Sequence, residues 1–319
     1  PKRHKPRKGS LQFWPRSRAE NVLPSVNWNP LYENAKSGQK ILGFLGYKAG
    51  MLRVLVHDLT QNSMTKNKEM IIPATVIECP PLKVYSIRFY KNSNVATEVA
   101  VSTDKELKGR VTVPEGIKMN RLDEIEKNLE HYNNIKLILY PNLNNSSIKK
   151  TQDIVEIALQ GTLREKFEFA KSLIGKELNV SDVFSAGQLA DLHAVTKGFG
   201  LQGTIKRLGI SKRAHKSEKG VRKPGNLGPW KPSKVRFTAP QAGQTGFFTR
   251  LVYNIKIMKI GSGASLNKRF HRYGIIKNDY IIVKGSVQGP AKRPVLFTIP
   301  LRASKKAIKR NYEILKILD

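Results

Sequence analysis

The segment from Lys197 to Arg236 carries the side chains with the clearest chemistry in this chain. It holds twelve Lys or Arg residues against one acid, Glu218, and a single tryptophan, Trp230, in a stretch rich in Gly and Pro. Cations on an extended backbone can follow a row of phosphates, and a large ring can stack on a base or a sugar. The pattern therefore favours a nucleic-acid-binding arm over the plainer interpretation, a solvated loop.

The charge of the whole chain favours the same interpretation. The 319 residues carry a net charge of +33, which is typical of a protein that binds a polyanion. The charge is uneven: residues 1–59 hold 11 basic and 3 acidic side chains, residues 60–191 hold 18 and 17, and residues 192–319 hold 28 and 4. Two cationic segments therefore flank a nearly neutral middle.

The basic residues of these flanks are the candidate contacts with nucleic acid. In the amino-terminal tail they are Lys2, Arg3, Lys5, Arg7, Lys8, Arg16 and Arg18. In and beside the central segment, together with Trp230, they are Lys197, Lys206, Arg207, Lys212, Arg213, Lys216, Lys219, Arg222, Lys223, Lys231, Lys234, Arg236 and Arg250. In the carboxy-terminal part they are Lys268, Arg269, Arg272, Lys292 and Arg293. Arginine suits bidentate phosphate contacts, whereas lysine supplies a more general positive field.

Motifs for catalysis or cofactor binding are weak. Residues 198–203 match the G-x-G-x-x-G spacing of dinucleotide-binding loops, but the acid expected about 20 residues later is missing, so a flexible hinge explains these glycines better. The single cysteine, Cys79, excludes an internal disulfide, and the six histidines lack metal-ligand spacing. Asp58, Asp191 and Asp279 remain open as a two-metal nuclease site. We expect no enzyme activity, no catalytic residues and no protein-bound metal.

Hydrophobic patterning predicts a mainly β fold with α insertions. A hairpin is predicted from Ile41–Tyr47 and Met51–Asp58 around Lys48-Ala49-Gly50. The other predicted strands are Met70–Cys79, Leu82–Tyr90, Glu98–Ser102, Ile135–Tyr140, Asp153–Leu159, Val235–Thr238, Leu251–Ile260, Tyr280–Lys284 and Pro294–Pro300. Helices are predicted near Leu122–Leu129 and after Thr162, where Glu165 completes a capping box.

Strands on both sides of the cationic segment indicate one β-barrel that carries excursions. We expect an extended basic tail over 1–40 and the first part of the barrel over 41–195, with a helical insert at about 104–175. A basic, Gly-rich segment that contains Trp230 follows over 196–246, and we call it the finger; residues 247–319 complete the barrel and add a basic segment. No apolar run approaches the roughly 18 residues of a membrane span.

Several motifs, in this order and spacing, resemble those of the universal family of large-subunit ribosomal protein three. They are Gly9-Ser10-Leu11 with Phe13, Pro15 and Arg16; Gly46–Met51; Asp182-Val183-Phe184; Val195–Gly200; Trp230-Lys231-Pro232; Ala242–Gly246 with Arg250, Asn254 and Lys256-Ile257; Tyr273-Gly274; Lys277–Tyr280; Lys284–Val287; Gly289-Pro290; and Lys292-Arg293. The resemblance covers nearly the whole chain. The helical insert and the long finger resemble archaeal and eukaryotic members, and the ending at Asp319 favours an archaeal source.

This resemblance implies a translation-protein-type β-barrel on the large ribosomal subunit, with the tail and the finger entering the large rRNA. It implies support of subunit assembly, neighbouring ribosomal proteins as partners, and a cytoplasmic location in the ribosome without membrane contact. It also implies that Trp230 lies near the finger tip and the peptidyl transferase centre, beside aminoacyl-tRNA and translation factors. We expect no cofactor other than structural magnesium ions held through the rRNA. Gln244 matches a glutamine that is methylated in some bacterial members and joins the candidate RNA contacts.

Two departures limit what the resemblance implies. Glu218 stands where eukaryotic members have a histidine that can be methylated, so that modification is not expected. Arg53 stands where the first hairpin of the family has a histidine, and we expect it to contact a phosphate instead. Two other classes remain as alternatives, an RNA-modifying or RNA-cleaving enzyme and a basic chromatin-type DNA-binding protein. The first requires a convergent acidic or nucleophilic pocket, and the second lacks any helix-turn-helix pattern.

Overall fold

The structure is a computed structural model that describes residues 8–33, 39–116, 119–144, 146–216, 219–231, 233–266 and 268–318. The chain divides into two compact units. We call the first, Pro1–Asn21 with Val195–Arg250, the arm unit, and the second, Val22–Ala194 with Leu251–Asp319, the body. No helix in the described ranges has the length and apolar character that a membrane crossing requires.

Strands dominate the described part of the chain. They are β1 (Gly43–Asp58), β2 (Glu69–Glu78), β3 (Leu82–Lys91), β4 (Asn94–Ala100), β5 (Asn134–Pro141), β6 (Val155–Ala158), β7 (Glu177–Leu178), β8 (Leu189–Val195), β9 (Gly200–Gln202), β10 (Gly243–Thr245), β11 (Thr249–Gly261), β12 (Arg269–Phe270), β13 (Gly274–Ile275), β14 (Tyr280–Lys284), β15 (Pro294–Thr298) and β16 (Tyr312–Leu318). The helices are α1 (Asn29–Tyr32), α2 (Met119–Lys127), α3 (Leu163–Ser172), α4 (Thr204–Leu208) and α5 (Lys305–Lys309). The fold is therefore mainly β, as predicted.

The larger sheet of the body is organised around β1. The strand order is β15-β8-β11-β14-β2-β1-β16, and β15 also pairs with β1. At 16 residues, β1 is long enough to pair with β15 over Gly43–Tyr47 and with β16 over Arg53–Asp58, while β2 occupies its other edge. Phe44, Leu45 and Tyr47 of β1 are fully buried and belong to the main hydrophobic cluster, so both faces of this part of the strand are covered.

A second sheet in the body contains ion pairs between acids and cations of the nearly neutral middle of the sequence. Its order is β4-β3-β5-β6, and α3 packs Phe167 against Phe89 with ring centroids 6.2 Å apart. The Arg88 guanidinium pairs with Glu98 at 2.9 Å and with Glu156 at 2.8 Å. Glu156 also accepts from Lys136 at 2.6 Å. The acids of this region thus neutralise cations within the fold.

Most predicted strands and both helices are confirmed. Thr162 and Glu165 form the capping box at the start of α3, and β14 has the predicted bounds. Strand β4 begins four residues earlier than predicted. The predicted strand Val235–Thr238 is wrong, because this segment turns and leaves Phe237 78% exposed. Strands β8 and β16 were not predicted.

The predicted hairpin between Ile41 and Asp58 is also wrong, because β1 runs straight through Lys48-Ala49-Gly50 with a bulge. The Lys48 backbone bonds to Arg293 and Lys292 of the neighbouring segment, and its ammonium group donates to the carbonyls of Val287 and Gly289 at 2.5 and 2.9 Å. A Cβ at Gly50 would lie 2.7 Å from the Phe270 ring. Glycine is therefore needed here for close packing rather than for a turn.

Candidate nucleic-acid interface

The arm unit concentrates positive charge that its own acids cannot neutralise. Within Pro1–Asn21 and Val195–Arg250 the sequence has 20 Lys or Arg residues and two acids, Glu20 and Glu218. The ion pairs described above, by contrast, all join residues of the body. A polyanion is the partner that such a surface requires.

A short antiparallel ladder holds the two chain segments of the finger together. The Thr196 amide donates to the Phe248 carbonyl at 2.9 Å, and the Phe199 amide donates to the Thr245 carbonyl at 2.9 Å. Strands β9 and β10 continue the pairing, with Leu201 opposite Gln244. The ladder gives the finger a defined start despite its glycine content.

Gly246 is required in this ladder for two reasons. Its φ is +77°, and a Cβ there would lie 2.0 Å from the Lys197 carbonyl oxygen and 3.1 Å from the Gly198 Cα. Both a left-handed conformation and a close backbone approach are needed, and only glycine meets both without strain. The glycines of the motif thus serve the backbone of the finger.

Arg207, at the end of α4, fixes the returning segment of the finger. Its guanidinium donates to the carbonyl of Gln244 at 3.1 Å and to that of Gln241 at 3.0 Å. Burial, and then the charge of Arg16, lower its pKa. The Gln244 side chain in turn donates to the carbonyls of Thr245 and Gly246 at 3.4 and 3.2 Å. Two of the predicted RNA contacts therefore also have a structural role.

The amino-terminal segment packs on the finger within the arm unit. A Cβ at Gly9 would lie 2.7 Å from the Leu208 side chain, and the Ala19 amide donates to the Phe247 carbonyl at 2.8 Å. Three arginines stack on aromatic rings. The guanidinium of Arg250 lies 4.6 Å from the Phe13 ring and 5.0 Å from the Phe248 ring, and those of Arg16 and Arg207 lie 5.4 and 5.9 Å from the Trp14 ring. Cation–π contacts thus join the tail to the finger.

Trp230 is exposed, which argues against a core role. It is 89% exposed, beside a groove lined by residues of its own segment: Asn226, Leu227, Gly228, Pro229, Ser233, Lys234 and Val235. The turn is held locally, because the Ser233 amide donates to the Trp230 carbonyl at 2.8 Å and the Gly228 amide donates to the Asn226 side chain at 2.9 Å. A local turn therefore presents the ring to solvent.

The structure separates the predicted contacts into several groups. Exposed cations of the finger are Lys197, Lys206, Lys212, Lys216, Lys219, Arg222, Lys223, Lys231, Lys234 and Arg236. Arg213 instead donates to the Pro224 carbonyl at 2.6 Å. Lys8 and Arg18 are exposed, while Lys2, Arg3, Lys5 and Arg7, like Glu218, lie outside the described residues.

The carboxy-terminal candidates lie in the body. Arg269 and Arg272 are exposed on the short hairpin of β12 and β13, whereas Lys268 and Arg293 are half-buried. Lys292 donates to the Ser147 carbonyl at 2.7 Å. Because these residues belong to a different unit from the finger, they form a separate group of candidate contacts.

Exposed aromatic side chains in the arm unit were missed by sequence reasoning. Phe199 is half-exposed, with the Lys206 and Lys197 ammonium groups 4.8 and 5.9 Å from its ring. Phe237 is exposed and meets Trp14 edge-on at 6.0 Å. The sequence contained a signal for both aromatic residues, because each lies one or two positions after a basic residue. Such interleaving of aromatic and basic residues is typical of single-stranded nucleic-acid surfaces.

The alternatives to a binding role find little support in the geometry. The G-x-G-x-x-G segment forms β9 of the ladder rather than a hinge or a phosphate loop. Asp191 accepts from the Asn254 and Leu301 amides at 2.7 and 2.9 Å, and burial raises its pKa. Burial, and then the charge of Asp182, raise the pKa of Asp279. Within the described ranges, no group of three His, Cys, Asp or Glu side chains could hold a metal ion.

The low pKa of Asp58 predicts that the stability of the fold depends on pH and does not point to a catalytic role. Burial would raise its pKa, but hydrogen bonds from Thr60, Thr65 and Ser63 outweigh it and lower the pKa to about 2. A depressed pKa stabilises the fold above the unfolded value and loses that contribution as the pH falls towards 2. We expect the difference in free energy of unfolding between the wild type and Asp58→Asn to shrink between pH 5 and pH 2, in urea titrations. A constant difference would contradict this role of the carboxylate.

Comparison with known proteins identifies the family. The family model described as ribosomal protein L3 matches residues 1–104 and 88–318. Proteins named large ribosomal subunit protein uL3 from Archaeoglobus fulgidus and Methanothermobacter thermautotrophicus are each 38% identical, and that from Methanobrevibacter smithii is 39% identical. Each comparison covers 95% of this chain and 94% of the relative. The chain therefore belongs to the ribosomal protein L3 family, and it is of the archaeal type.

Proposed function

We propose that this chain is a structural constituent of the large ribosomal subunit, acting in the cytoplasm, that binds large-subunit rRNA chiefly through its arm unit. The observation that carries the proposal is the charge of the arm unit, 20 basic residues against two acidic ones in its sequence. The ladder and the stacked arginines order part of its described backbone. The relatives named as large-subunit proteins match 95% of the chain. No catalytic step is part of the proposal.

The mechanism is electrostatic. Lysines and arginines of the tail and finger neutralise closely packed phosphates and displace counterions. With about ten phosphate contacts, the slope of log K against log salt concentration is near −7 to −9. Specificity comes from the shape of the folded rRNA, because its deep major groove does not admit side chains for base readout. Magnesium ions enter only through the rRNA.

The proposed architecture is a translation-protein-type β-barrel. Support comes from the strand pairing, because β1, β2, β14, β11, β8 and β15 form a closed cycle when β15 returns to pair with β1. A closed sheet leaves few unpaired edges and makes a rigid platform for a long excursion. The finger leaves this platform after β8 and rejoins it at β11.

The finer role that we propose concerns the finger. Trp230 and its neighbours organise RNA near the peptidyl transferase centre and the entry of aminoacyl-tRNA, with neighbouring ribosomal proteins as further partners. The exposure of Trp230 on a locally held turn supports this role, because a ring that packs against no core is available to stack on a base. Ordering the finger would then couple subunit assembly to tRNA accommodation.

Replacing Trp230 by alanine tests the stacking role. Because the ring is exposed, we expect the thermal unfolding midpoint to change by less than about 1 °C, since surface changes cost within about 0.5 kcal/mol. Loss of one base stack, worth about 1–3 kcal/mol, should weaken binding to large-subunit rRNA roughly 5- to 150-fold in filter-binding titrations. Met64→Ala, which removes a 94% exposed side chain from the body, is the matched control. Equal affinities for the two variants would refute the stacking role.

A further inference from the structure

We infer that the body carries a second RNA-binding surface, separate from the arm unit, formed by α5 and the lysines of β11 and β14 beside it. Its ligand is the phosphate backbone of folded RNA. The inference rests on the proposed function, because it takes rRNA as the partner, and it concerns residues outside all the candidate groups named above. We call this surface the α5 patch: Lys256, Lys284, Arg302, Lys305, Lys306, Lys309 and Arg310.

Hydrogen bonds anchor the segment that carries α5 to β11. The Asn254 side chain donates to the Arg302 carbonyl at 2.9 Å and accepts from the Ser304 amide at 3.0 Å. Ser304 then caps α5 by accepting from the Ala307 amide at 3.4 Å. Asn254 itself has a φ of +56°, and its backbone amide donates a hydrogen bond to the buried carboxylate of Asp191. The cations of this segment therefore project from an anchored backbone.

Lys256 and Lys284 bring like charges together beside α5. The register of β11 and β14 pairs Ile257 with Val283, which places Lys256 and Lys284 at neighbouring cross-strand positions. The Lys256 ammonium donates to the Ile308 carbonyl in α5 at 3.3 Å, and the Lys284 ammonium donates to the Tyr312 hydroxyl at 2.6 Å. Burial, and then the charge of Lys284, lower the pKa of Lys256. Facing like charges destabilise a sheet, and a bound anion removes that cost.

The segment that carries α5 contains almost no acid. Residues 302–316 contain six Lys or Arg residues and one acid, Glu313, which pairs across to His57 of β1. Arg302, Lys305, Lys306, Lys309 and Arg310 are all exposed. Lys305 and Lys309 are four residues apart and so point from the same helix face, about 6 Å from each other. The patch thus presents several mobile ammonium groups over a short distance.

The chemistry of the patch favours RNA over the other polyanionic or amphipathic partners. Protein interfaces are depleted in lysine and need a central apolar anchor, whereas here Ile308 is 54% exposed among lysines. A membrane-binding helix needs a wide apolar face, and α5 is a helix of five residues. A lysine ammonium group lacks the planar fork with which arginine forms paired hydrogen bonds. It therefore suits an RNA phosphate backbone that is recognised by shape and charge.

The test compares two triple variants of the full chain in binding to protein-free large-subunit rRNA over a range of salt concentrations. Lys305, Lys306 and Lys309 are replaced by Gln in one. In the control, the exposed body residues Lys105, Lys108 and Lys127 are replaced by Gln. We expect the α5 variant to reduce the magnitude of the salt slope by about 2 to 3, since each phosphate contact contributes about 0.7 to 0.9. The control should leave the slope within error of the wild type.

Lysine acetylation of the wild-type chain, measured with and without rRNA, is a second test that does not depend on the folding of any variant. Lys305, Lys306 and Lys309 should be protected by rRNA, while Lys105, Lys108 and Lys127 stay reactive. This inference is overturned if the α5 variant has the salt slope of the wild type and rRNA leaves the α5 lysines of the wild-type chain reactive. If the wild-type chain still binds rRNA, the proposed function stands. A wild-type chain that fails to bind rRNA at all would overturn the proposed function itself.

Discussion

Six glutamine substitutions in the finger should remove most of the electrostatic part of rRNA binding while the protein stays folded. The residues are Lys212, Lys216, Lys219, Arg222, Lys223 and Lys231, all of which are exposed. Losing six phosphate contacts at about 0.7 to 0.9 each lowers the magnitude of the salt slope by about 4.2 to 5.4. The gain in affinity between 200 and 50 mM salt should then shrink by a factor of roughly 300 to 2,000. Filter binding to large-subunit rRNA measures this directly.

The matched control for this variant carries the same change of charge on the body. Lys66, Lys68, Lys91, Lys105, Lys108 and Lys127 are also exposed, and they lie in the part of the sequence where acids balance the cations. If phosphate contacts are concentrated in the finger, this variant should keep at least four fifths of the wild-type slope. Equal slopes for the two variants would show that net charge alone decides binding, which contradicts a specific role for the finger.

Alanine at Gly246 should unfold the ladder of the finger. The new Cβ would lie 2.0 Å from the Lys197 carbonyl oxygen at a residue whose φ is +77°, so the backbone must move. That movement breaks the bonds from Phe247 to Lys197 and from Phe199 to Thr245. Left-handed strain costs about 1 to 2 kcal/mol, and the lost hydrogen bonds add about 1 kcal/mol each, so we expect about 3 to 4 kcal/mol. Hydrogen exchange at the Phe199 and Phe247 amides measures the local opening.

The variant Gly200→Ala separates the cost of a left-handed backbone conformation from the cost of a steric clash. Its φ is +67°, but a Cβ there would meet nothing within 4 Å. Gly200→Ala should therefore cost only the left-handed strain, about 1 to 2 kcal/mol, and should leave exchange of the Phe247 amide much slower than in Gly246→Ala. Similar exchange rates in the two variants would mean that close backbone approach is not what requires glycine at Gly246.

Local signals in the sequence predicted much of the body correctly. The capping box of Thr162 and Glu165 marks α3, and β-branched runs mark β2, β3 and β14, because these signals act within a few residues. The predicted hairpin failed at Gly50 for a reason outside that range. The residue is a glycine because the Phe270 ring, 220 positions away in the chain, packs against it. A sequence window cannot distinguish that need from a turn.

The candidate site was predictable in charge but not in arrangement. The cluster of cations and Trp230 are visible in the sequence. That Arg207 holds the carbonyls of Gln241 and Gln244, and that Arg250 lies between Phe13 and Phe248, depends on long-range packing. The same holds for the α5 patch, which becomes visible only when β11 and β14 bring Lys256 beside Lys284.

The central claim is that this chain is an integral rRNA-bound component of the large ribosomal subunit. Sedimentation of a cell extract through a high-salt sucrose gradient, with the protein quantified by mass spectrometry in each fraction, tests it most directly. The steep salt slope applies to the free chain binding free rRNA. In the assembled subunit, the proposal has folded rRNA surrounding the tail and finger, so release would also require that RNA to open, and high salt should remove only proteins held by a few exposed charges. We predict comigration with the large subunit at one copy per particle. Recovery mainly at the top of the gradient would contradict the account.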